Sequence, residues 1–343
     1  MQNRYREYYA AANGFTGFRS YFEEVFPSEA MSGIFILKGG PGTGKSTLMK
    51  KILNLFSEKG YKTDAVFCSS DPHSLDGAII DGRVAILDGT APHEMDTRLP
   101  GALDEIINLG EGWSWQKLKS SRKKIEELNK NKKQNYNSAY KYLSFSGNIH
   151  NYKIELLKKL FNFKSAESAI LNLTKDFSLS EKKPKRILIS AFSKEGLTRR
   201  SFSGFEVKKL YSVTGKLGEG ELYFDVLKNA SFGKFPITIF PSPFSDNVTE
   251  GIYFENEKTL FLSNANGGEV IDANTYLYES QDEEIDFLNE NEKIYLEKSK
   301  HYFKKAAEFH FLLEDIYRDC MNFGKNQEVF EILSEKILKL LSD

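Results

Sequence analysis

Short apolar runs alternate along the chain with segments whose apolar residues recur at helical spacing. In the first third, the apolar runs are residues 33–38, 63–68 and 84–87, each of a length typical of a buried strand. Between the first two runs, apolar side chains share one face of a predicted helix, at Leu48, Met49, Ile52, Leu53 and Phe56. The order strand, helix, strand predicts an α/β sheet.

The same succession returns in the second half of the chain, which indicates an internal repeat. Its strand-like runs are residues 210–214, 237–240 and 259–262. Residues 190–197, upstream of these runs, are similar to residues 9–15, upstream of the first set. We therefore expect an α/β fold of two tandem, pseudo-symmetric domains, residues 1–183 and residues 184–343.

Two further segments, about residues 115–175 and about residues 290–341, show helical spacing without strand-like runs. Each segment follows the strands of one α/β domain and predicts a helical hairpin attached to that domain. These hairpins are candidate surfaces for a protein partner, and the sequence is compatible with an oligomer.

Composition narrows the class of protein. Apolar residues make up 40% and charged residues 28% of the 343 residues, which is typical of folded domains and excludes disorder for most of the chain. No run of about 18 apolar residues is present and the first residues lack the order of a secretory signal, so we expect a cytoplasmic protein without a membrane segment. Cys68 and Cys320 are too few for a disulfide framework, and we expect two buried free thiols.

The formal charge of −1 conceals a segregation of charge along the chain. Residues 117–185 hold 17 Lys and Arg against 6 Asp and Glu. A basic segment can bind nucleic acid by neutralising phosphates. We favour a solvated or partner-facing helix face, with the acidic residues 279–292 as an internal or intersubunit counterpart, so a nucleic-acid partner is disfavoured.

The most specific motif directly follows the strand-like run at residues 33–38. Residues 39–46 fit the Walker A pattern G-x-x-x-x-G-K-[ST] between a strand and a helix, where backbone N–H groups can surround phosphates. We expect Lys45 to reach the β- and γ-phosphates, Ser46 to bind Mg²⁺ and Thr47 to contact the α-phosphate. The residues predicted to bind the nucleotide are Gly40, Pro41, Gly42, Thr43, Gly44, Lys45, Ser46 and Thr47.

A second candidate metal ligand ends the run at residues 84–87. Four apolar residues followed by Asp88 form the Walker B pattern, in which an acid beside the phosphate loop holds Mg²⁺. Asp88-Gly89 is also a good turn dipeptide, so a structural role stays open.

Gly89-Thr90 stands where many ATP-driven motors place a water-activating Glu, so rapid hydrolysis is not predicted. No N-K-x-D guanine-reading motif follows a suitable strand, which favours ATP over GTP.

Polar residues follow the second and third strand-like runs, at the sheet edge where α/β proteins bind ligands. After the second run they are Ser69, Ser70, Asp71, His73 and Asp76. Asp71 is the first candidate for orienting water or an acceptor hydroxyl, and His93 or Glu94 is the second. The predicted catalytic residues are therefore Lys45, Asp71 and His93. Turns or helix caps are the alternative for each. The candidate arginines for transition-state charge are Arg19, Arg98, Arg199 and Arg200.

The second half contains a degenerate copy of the phosphate loop. Its glycines at 215, 218 and 220 match those at 39, 42 and 44. However, Glu221 replaces Lys45, Leu222 replaces Ser46, and Ser263 stands in place of Asp88. A carboxylate repels phosphates and the metal ligands are gone, so we do not expect Mg·ATP to bind there.

Together these motifs resemble an uncharacterised bacterial family of cytoplasmic ATP-binding proteins with two tandem P-loop domains. The resemblance is carried by residues 39–47, 68–76, 85–93, 99–102 and 104–109, and it extends over nearly the whole chain. It implies the P-loop NTPase fold, ATP binding, and ATPase or kinase-like activity. Members of the family resemble one another in having a working P-loop in each half, and this chain departs from them in the second.

The predicted function is therefore an Mg²⁺-dependent ATPase with one working site, in the amino-terminal half. Two alternatives stay open. A small-molecule kinase would transfer the γ-phosphoryl group with Asp71 as base. A binding module would hold ATP without turnover and recruit a protein through its helical hairpins.

Overall fold

The computed structural model describes residues 5–91, 95–202, 204–278 and 283–342. Within these residues the chain forms two six-stranded mixed sheets in two similar halves, each associated with helices. Short 3-10 turns occur at Ser28–Ala30, Leu109–Gly112 and Ala273–Tyr276.

The amino-terminal half contains the first set of strands and helices. Its strands are β1 (Arg6–Tyr9), β2 (Ala11–Gly14), β3 (Gly17–Ser20), β4 (Gly33–Lys38), β5 (Thr63–Phe67), β6 (Leu75–Ile80), β7 (Val84–Asp88) and β8 (Asp104–Asn108). Its helices are α1 (Phe22–Val25), α2 (Lys45–Glu58), α3 (Trp115–Ser120), α4 (Arg122–Leu160) and α5 (Phe163–Thr174).

The carboxy-terminal half repeats this series with fewer helices. Its strands are β9 (Lys185–Arg186), β10 (Ser190–Ser193), β11 (Gly196–Arg199), β12 (Lys209–Thr214), β13 (Ile237–Pro241), β14 (Thr249–Phe254), β15 (Thr259–Ser263) and β16 (Glu269–Asp272). Its helices are α6 (Glu219–Ser231), α7 (Glu283–Arg318) and α8 (Gly324–Ser342).

The two sheets have the same strand order, element for element. The first is β1-β5-β6-β7-β4-β8, and the second is β9-β13-β14-β15-β12-β16. Each half also has a separate antiparallel hairpin, β2-β3 or β10-β11. The predicted α/β class and the internal repeat are therefore confirmed at the level of two similar mixed-sheet halves.

Strand β4, which leads into the glycine-rich loop, is buried on both faces. Ile34 and Ile36 contribute to one apolar cluster of the first half, whereas Phe35 and Leu37 contribute to the other. Burial of both faces explains the continuous apolar sequence of this strand. Its parallel neighbours β7 and β8 end at the same edge of the sheet as the loop.

The antiparallel strand β6 differs from the sequence prediction, which treated the residues around Asp76 as part of a polar loop. The strand is buried along its length and pairs with β5 and β7. Asp81 and Gly82 turn the chain from β6 to β7 with φ of 53° and 69°. Positive φ at both positions is typical of the tight hairpin turn that Asp-Gly favours. An Asp-Gly pair between two apolar runs was thus the overlooked signal.

Helices α4 and α7 join the two halves. They run antiparallel, because Tyr136 contacts Phe303 while the hydroxyl of Ser146, further along α4, donates to the carbonyl of Glu292, earlier in α7. The acidic residues 279–292 and the basic residues 117–185 therefore meet within the chain at an ion pair, in which the Lys153 ammonium lies 2.6 Å from the Glu292 carboxylate.

The helical segments that follow α4 and α7 are exchanged between the halves. Leu157 of α4 and Ile170 of α5 are buried in the core of the second sheet. In return, Leu333 and Ile337 of α8 are buried in the core of the first sheet. The sheets thus lie on either side of residue 183, whereas each helical hairpin completes the core of the opposite half.

We expect Leu157→Ala to lower the free energy of unfolding by about 2–5 kcal/mol, since it leaves a cavity in a dry core. Denaturation by urea measures the loss, and backbone amide exchange locates it. The exchange of β12 and β14 should accelerate more than that of β4 and β7. Leu179→Ala, at a side chain 77% exposed, is the control and should be neutral. Faster exchange confined to the first sheet would contradict the exchanged arrangement.

Candidate nucleotide site

The glycine-rich loop joins the end of β4 to the start of α2. Gly42 and Gly44 have φ of 70° and 87°, in the left-handed region that side chains rarely adopt. Helix α2 begins at Lys45, directly after the last glycine. The loop therefore ends at the N-terminal end of a helix. The N–H groups of a first helical turn and the helix dipole favour the binding of an anion at such a place.

Lys45 and Asp88 lie together at this edge of the sheet. The Lys45 ammonium donates to the carbonyls of Gly39 and Gly40 at 2.8 and 3.0 Å, and it lies 3.6 Å from a carboxylate oxygen of Asp88. The side chains are only 10% and 17% exposed. Burial raises the pKa of Asp88, and the Lys45 ammonium partly offsets that rise.

Asp88 also begins a turn, as the alternative interpretation of the sequence allowed. One of its carboxylate oxygens accepts hydrogen bonds from the backbone N–H and the hydroxyl of Thr90, at 2.9 and 2.6 Å. The other oxygen faces Lys45. The turn and a metal-binding role are compatible, because each uses a different oxygen.

Ser46 and Asp76 are the other oxygen donors beside the loop. The Ser46 hydroxyl accepts a hydrogen bond of 3.0 Å from the backbone N–H of Leu75 at the start of β6. Continuing the register of β6 and β7 by one residue places Asp76 opposite Asp88, and the charge of Asp76 contributes to the raised pKa of Asp88. Among the described residues, no group of three or more His, Cys, Asp or Glu side chains is arranged to hold a metal ion. The oxygen donors are thus a hydroxyl and two carboxylates.

The carboxy-terminal helices pack directly on the glycine-rich loop. A Cβ on Gly42 would lie 2.6 Å from the carbonyl oxygen of Glu314 near the end of α7. The Asn326 amide of α8 donates to the carbonyl of Thr43 at 2.9 Å, and a Cβ on Gly44 would lie 2.7 Å from the same amide. These glycines therefore serve close packing as well as backbone conformation.

Other predicted nucleotide ligands belong to the same turn. The Thr43 hydroxyl is buried and donates to the carbonyl of Gly40 at 2.9 Å. Gly40 itself packs against the rings of Trp113 and Tyr317. Pro41 is half-buried in the loop, and Thr47 is exposed on the first turn of α2.

Asp71 lies in the loop after β5 and forms an ion pair that sequence reasoning missed. Its carboxylate is 3.0 Å from the ammonium of Lys194, in the turn between β10 and β11 of the other half, and it accepts a hydrogen bond from the backbone N–H of His73. His93 and Glu94, the second choice for a catalytic role, lie outside the described residues.

The four candidate arginines have different hydrogen-bond partners. Arg19 donates to the carbonyl of Pro243, Arg199 to that of Ser263, and Arg98 to that of Phe26. Arg200 donates to the carbonyl of Pro72, beside Asp71, and its guanidinium lies 3.5 Å from the ring centroid of Phe67. Arg19 therefore contacts the carboxy-terminal half, Arg199 a strand end of its own half, and Arg200 the loop after β5.

The corresponding loop of the second half has its own internal anion. The carboxylate of Glu219, which is fully buried, accepts hydrogen bonds from the backbone N–H groups of Lys216 and Leu217 at 2.9 and 2.8 Å. By contrast, no carboxylate in the described part of the chain accepts a hydrogen bond from the backbone of residues 39–45. Thr43 occupies the position equivalent to Glu219 in the first loop.

Glu221, which replaces Lys45, belongs to a buried charge network beside a cavity of about 210 Å³. His150 of α4 lies between the carboxylates of Glu221 and Glu292, at 3.1 and 3.0 Å, and Lys153 pairs with Glu292. Burial alone would lower the pKa of His150, but the two carboxylates more than offset it and raise the pKa to about 9. The network thus links α4, α6 and α7 at the place where the first half has its Lys45.

Comparison with models of protein families, with curated proteins and with solved structures finds no match to this chain. The family resemblance drawn from the motifs therefore stays a prediction. None of the helices in the described residues combines the length and apolar character needed to cross a membrane.

We expect the stability of the protein to fall as His150 loses its proton. Because the folded pKa of about 9 exceeds the ordinary value of 6.5, the stabilisation is complete below pH 6.5 and is lost as the pH rises through 9. The free energy of unfolding should decrease by about 3 kcal/mol over this window. Urea denaturation across the pH range measures it, and His150→Gln is expected to remove this part of the slope. An unchanged slope in His150→Gln would contradict the role of the imidazolium.

Proposed function

We propose that the amino-terminal half is a P-loop NTPase domain that binds Mg·ATP at residues 39–47 and hydrolyses it slowly. The observation that carries this proposal is the convergence of Lys45 and Asp88, 3.6 Å apart, at the N-terminal end of a helix that follows a glycine-rich turn. Each feature suits one part of a metal-bound triphosphate. The backbone N–H groups and the ammonium would bind the phosphates, and the carboxylate and the Ser46 hydroxyl would bind the metal.

The Lys45 ammonium is hydrogen-bonded to backbone carbonyls, and we expect bound phosphates to replace these acceptors. Its two acceptors, the carbonyls of Gly39 and Gly40, are neutral and belong to the loop itself. A bound triphosphate offers charged oxygens, which form stronger hydrogen bonds with an ammonium than neutral carbonyls do. Lys45 would then bridge the β- and γ-phosphates.

The oxygen donors beside the loop fit Mg²⁺ as a nucleotide-bound ion. Ser46 and Asp88 would hold it, with Asp76 near enough to bind directly or through water. Mg²⁺ commonly takes one or two carboxylates and completes its sphere with water and phosphate, so a full protein cage is not required. When bound, the ion would neutralise the charge of the β- and γ-phosphates.

Slow turnover follows from what surrounds the γ-phosphate region. Asp71 is the candidate for orienting the attacking water, but its carboxylate is engaged by Lys194. The residues after Asp88 are Gly89 and Thr90, and the Thr90 hydroxyl caps Asp88. Neither Gly89 nor Thr90 has a side chain that can act as a strong general base. A cytoplasmic location, where ATP is abundant and thiols stay reduced, is part of the same proposal.

The carboxy-terminal half is proposed to support this site without binding Mg·ATP. Its loop already holds the carboxylate of Glu219, so a phosphate there would have to displace an internal anion. Glu221 adds a second carboxylate where the first half has an ammonium. Electrostatic repulsion at this loop therefore opposes a second nucleotide.

We expect a titration with Mg²⁺ and a non-hydrolysable ATP analogue to give one binding site per chain. Lys45→Ala should abolish binding and ADP release, because it removes the phosphate-binding ammonium. Lys216→Ala, at the second loop, is the matched control and should bind as the wild type does. Two sites per chain, or turnover by Lys45→Ala equal to wild type, would refute the single-site proposal. An increase of ADP release with a pool of small hydroxyl-bearing metabolites would favour the kinase alternative.

The metal role of Asp88 has a separate test. Asp88→Asn should reduce the gain in ATP affinity that Mg²⁺ gives to the wild type, by about tenfold, since it weakens an anionic ligand. Asp81→Asn is the control, because Asp81 lies in the turn at the opposite end of β7. Calorimetry with and without a chelator measures the gain. If the gain persisted in Asp88→Asn, Asp88 would be confined to its role in the turn.

A further inference from the structure

The two hairpins outside the sheets are exchanged between the halves, as the helices are. In the β2-β3 hairpin, the backbone N–H of Phe15 donates to the carbonyl of Phe244, in the loop after β13. In the β10-β11 hairpin, Lys194 pairs with Asp71, in the loop after β5. Each hairpin thus contacts a loop of the opposite half: Phe15 lines a cavity with Gly215 and Gly218, and Lys194 reaches the loop after β5.

The two turns carry different chemistry. Phe15 stacks on Phe244, with ring centroids 5.1 Å apart, in the half whose loop holds Glu219. Lys194, at the equivalent place, brings an ammonium to the half whose loop carries Lys45. The cation therefore occurs on the side where the phosphate-binding residues are present, and an aromatic ring occurs where they are replaced.

Lys194 is held in a confined position between Asp71 and helix α7. Its side chain is 15% exposed, and its ammonium lies 4.4 Å from the ring centroid of Phe311 in α7. Three residues further along α7, Glu314 contacts Gly42. The pKa of Glu314 is lowered, chiefly through a hydrogen bond with His310, and the charge of Asp71 opposes that shift. Lys194 thus lies between Asp71, in the loop after β5, and Phe311, one helical turn before the residue of α7 that covers Gly42.

We propose that Lys194 binds the terminal phosphate of ATP held at residues 39–47, so that the carboxy-terminal half distinguishes ATP from ADP at this site. This inference rests on the proposed function. A γ-phosphate carries more charge than the single carboxylate of Asp71 and can compete for the ammonium. ADP lacks that phosphate and leaves the ion pair with Asp71 intact.

The test compares the affinities of the full-length chain for Mg·ADP and for a non-hydrolysable Mg·ATP analogue. Lys194→Ala should weaken binding of the ATP analogue about ten- to hundredfold and leave ADP binding within about twofold, because one charge-assisted contact is lost. Lys194→Arg should retain most of the preference. Lys300→Ala is the control, because Lys300 packs beside Gly196 of the same hairpin and pairs with Glu297.

Two results with Lys194→Ala would contradict the inference but not the proposed function. One is an equal loss of affinity for both nucleotides, which indicates a structural role. The other is no loss of affinity for either nucleotide. A wild type that binds neither nucleotide would overturn both. A selective loss for the ATP analogue in Lys194→Ala, with normal binding in Lys300→Ala, would support the contact with the γ-phosphate.

Discussion

A tight glycine-rich loop at the start of a helix gathers backbone N–H groups that need an anionic partner. The two halves of this chain meet that need in different ways. In the second half, the carboxylate of Glu219 binds two N–H groups of its own loop. In the first half, the equivalent residue is Thr43, whose hydroxyl donates to the carbonyl of Gly40 instead. The second loop is therefore complete without an external anion, whereas the proposed function assigns that place in the first loop to a phosphate.

The exchange of helices and hairpins makes the two halves interdependent. The end of α4 and the helix α5 complete the second core, and α8 completes the first. The same exchange brings α7 and Asn326 onto the first glycine-rich loop. A change in the conformation of that loop would therefore alter its contacts with α7 and α8. The carboxy-terminal half therefore contributes both packing and the charge of Lys194 to the amino-terminal half.

The sequence predicted those features that depend on local pattern. Residues 39–44 form a turn between strand and helix, Asp88 ends a parallel neighbour of β4, and the repeat appears as two sheets of identical order. Strand β6 was missed because its polar start at Asp76 resembled a loop, although Asp81-Gly82 marked the hairpin.

Contacts between distant segments could not be predicted from one sequence. Nothing in the residues around Lys194 indicates that the ammonium lies beside Asp71, since they are far apart in the chain and come together only because the hairpins are exchanged. The same is true of the burial of α8 against the first sheet. Glu219 was overlooked for a different reason: alignment drew attention to Glu221 opposite Lys45, whereas the carboxylate that binds the loop is two residues earlier.

A crystal structure of the chain with Mg²⁺ and a non-hydrolysable ATP analogue tests the single-site arrangement most directly. We expect density for one triphosphate within residues 39–46, with Lys45 withdrawn from the carbonyls of Gly39 and Gly40 and Glu219 still bound to its own loop. Triphosphate density against Gly218 and Glu221, with none beside Lys45, would contradict it.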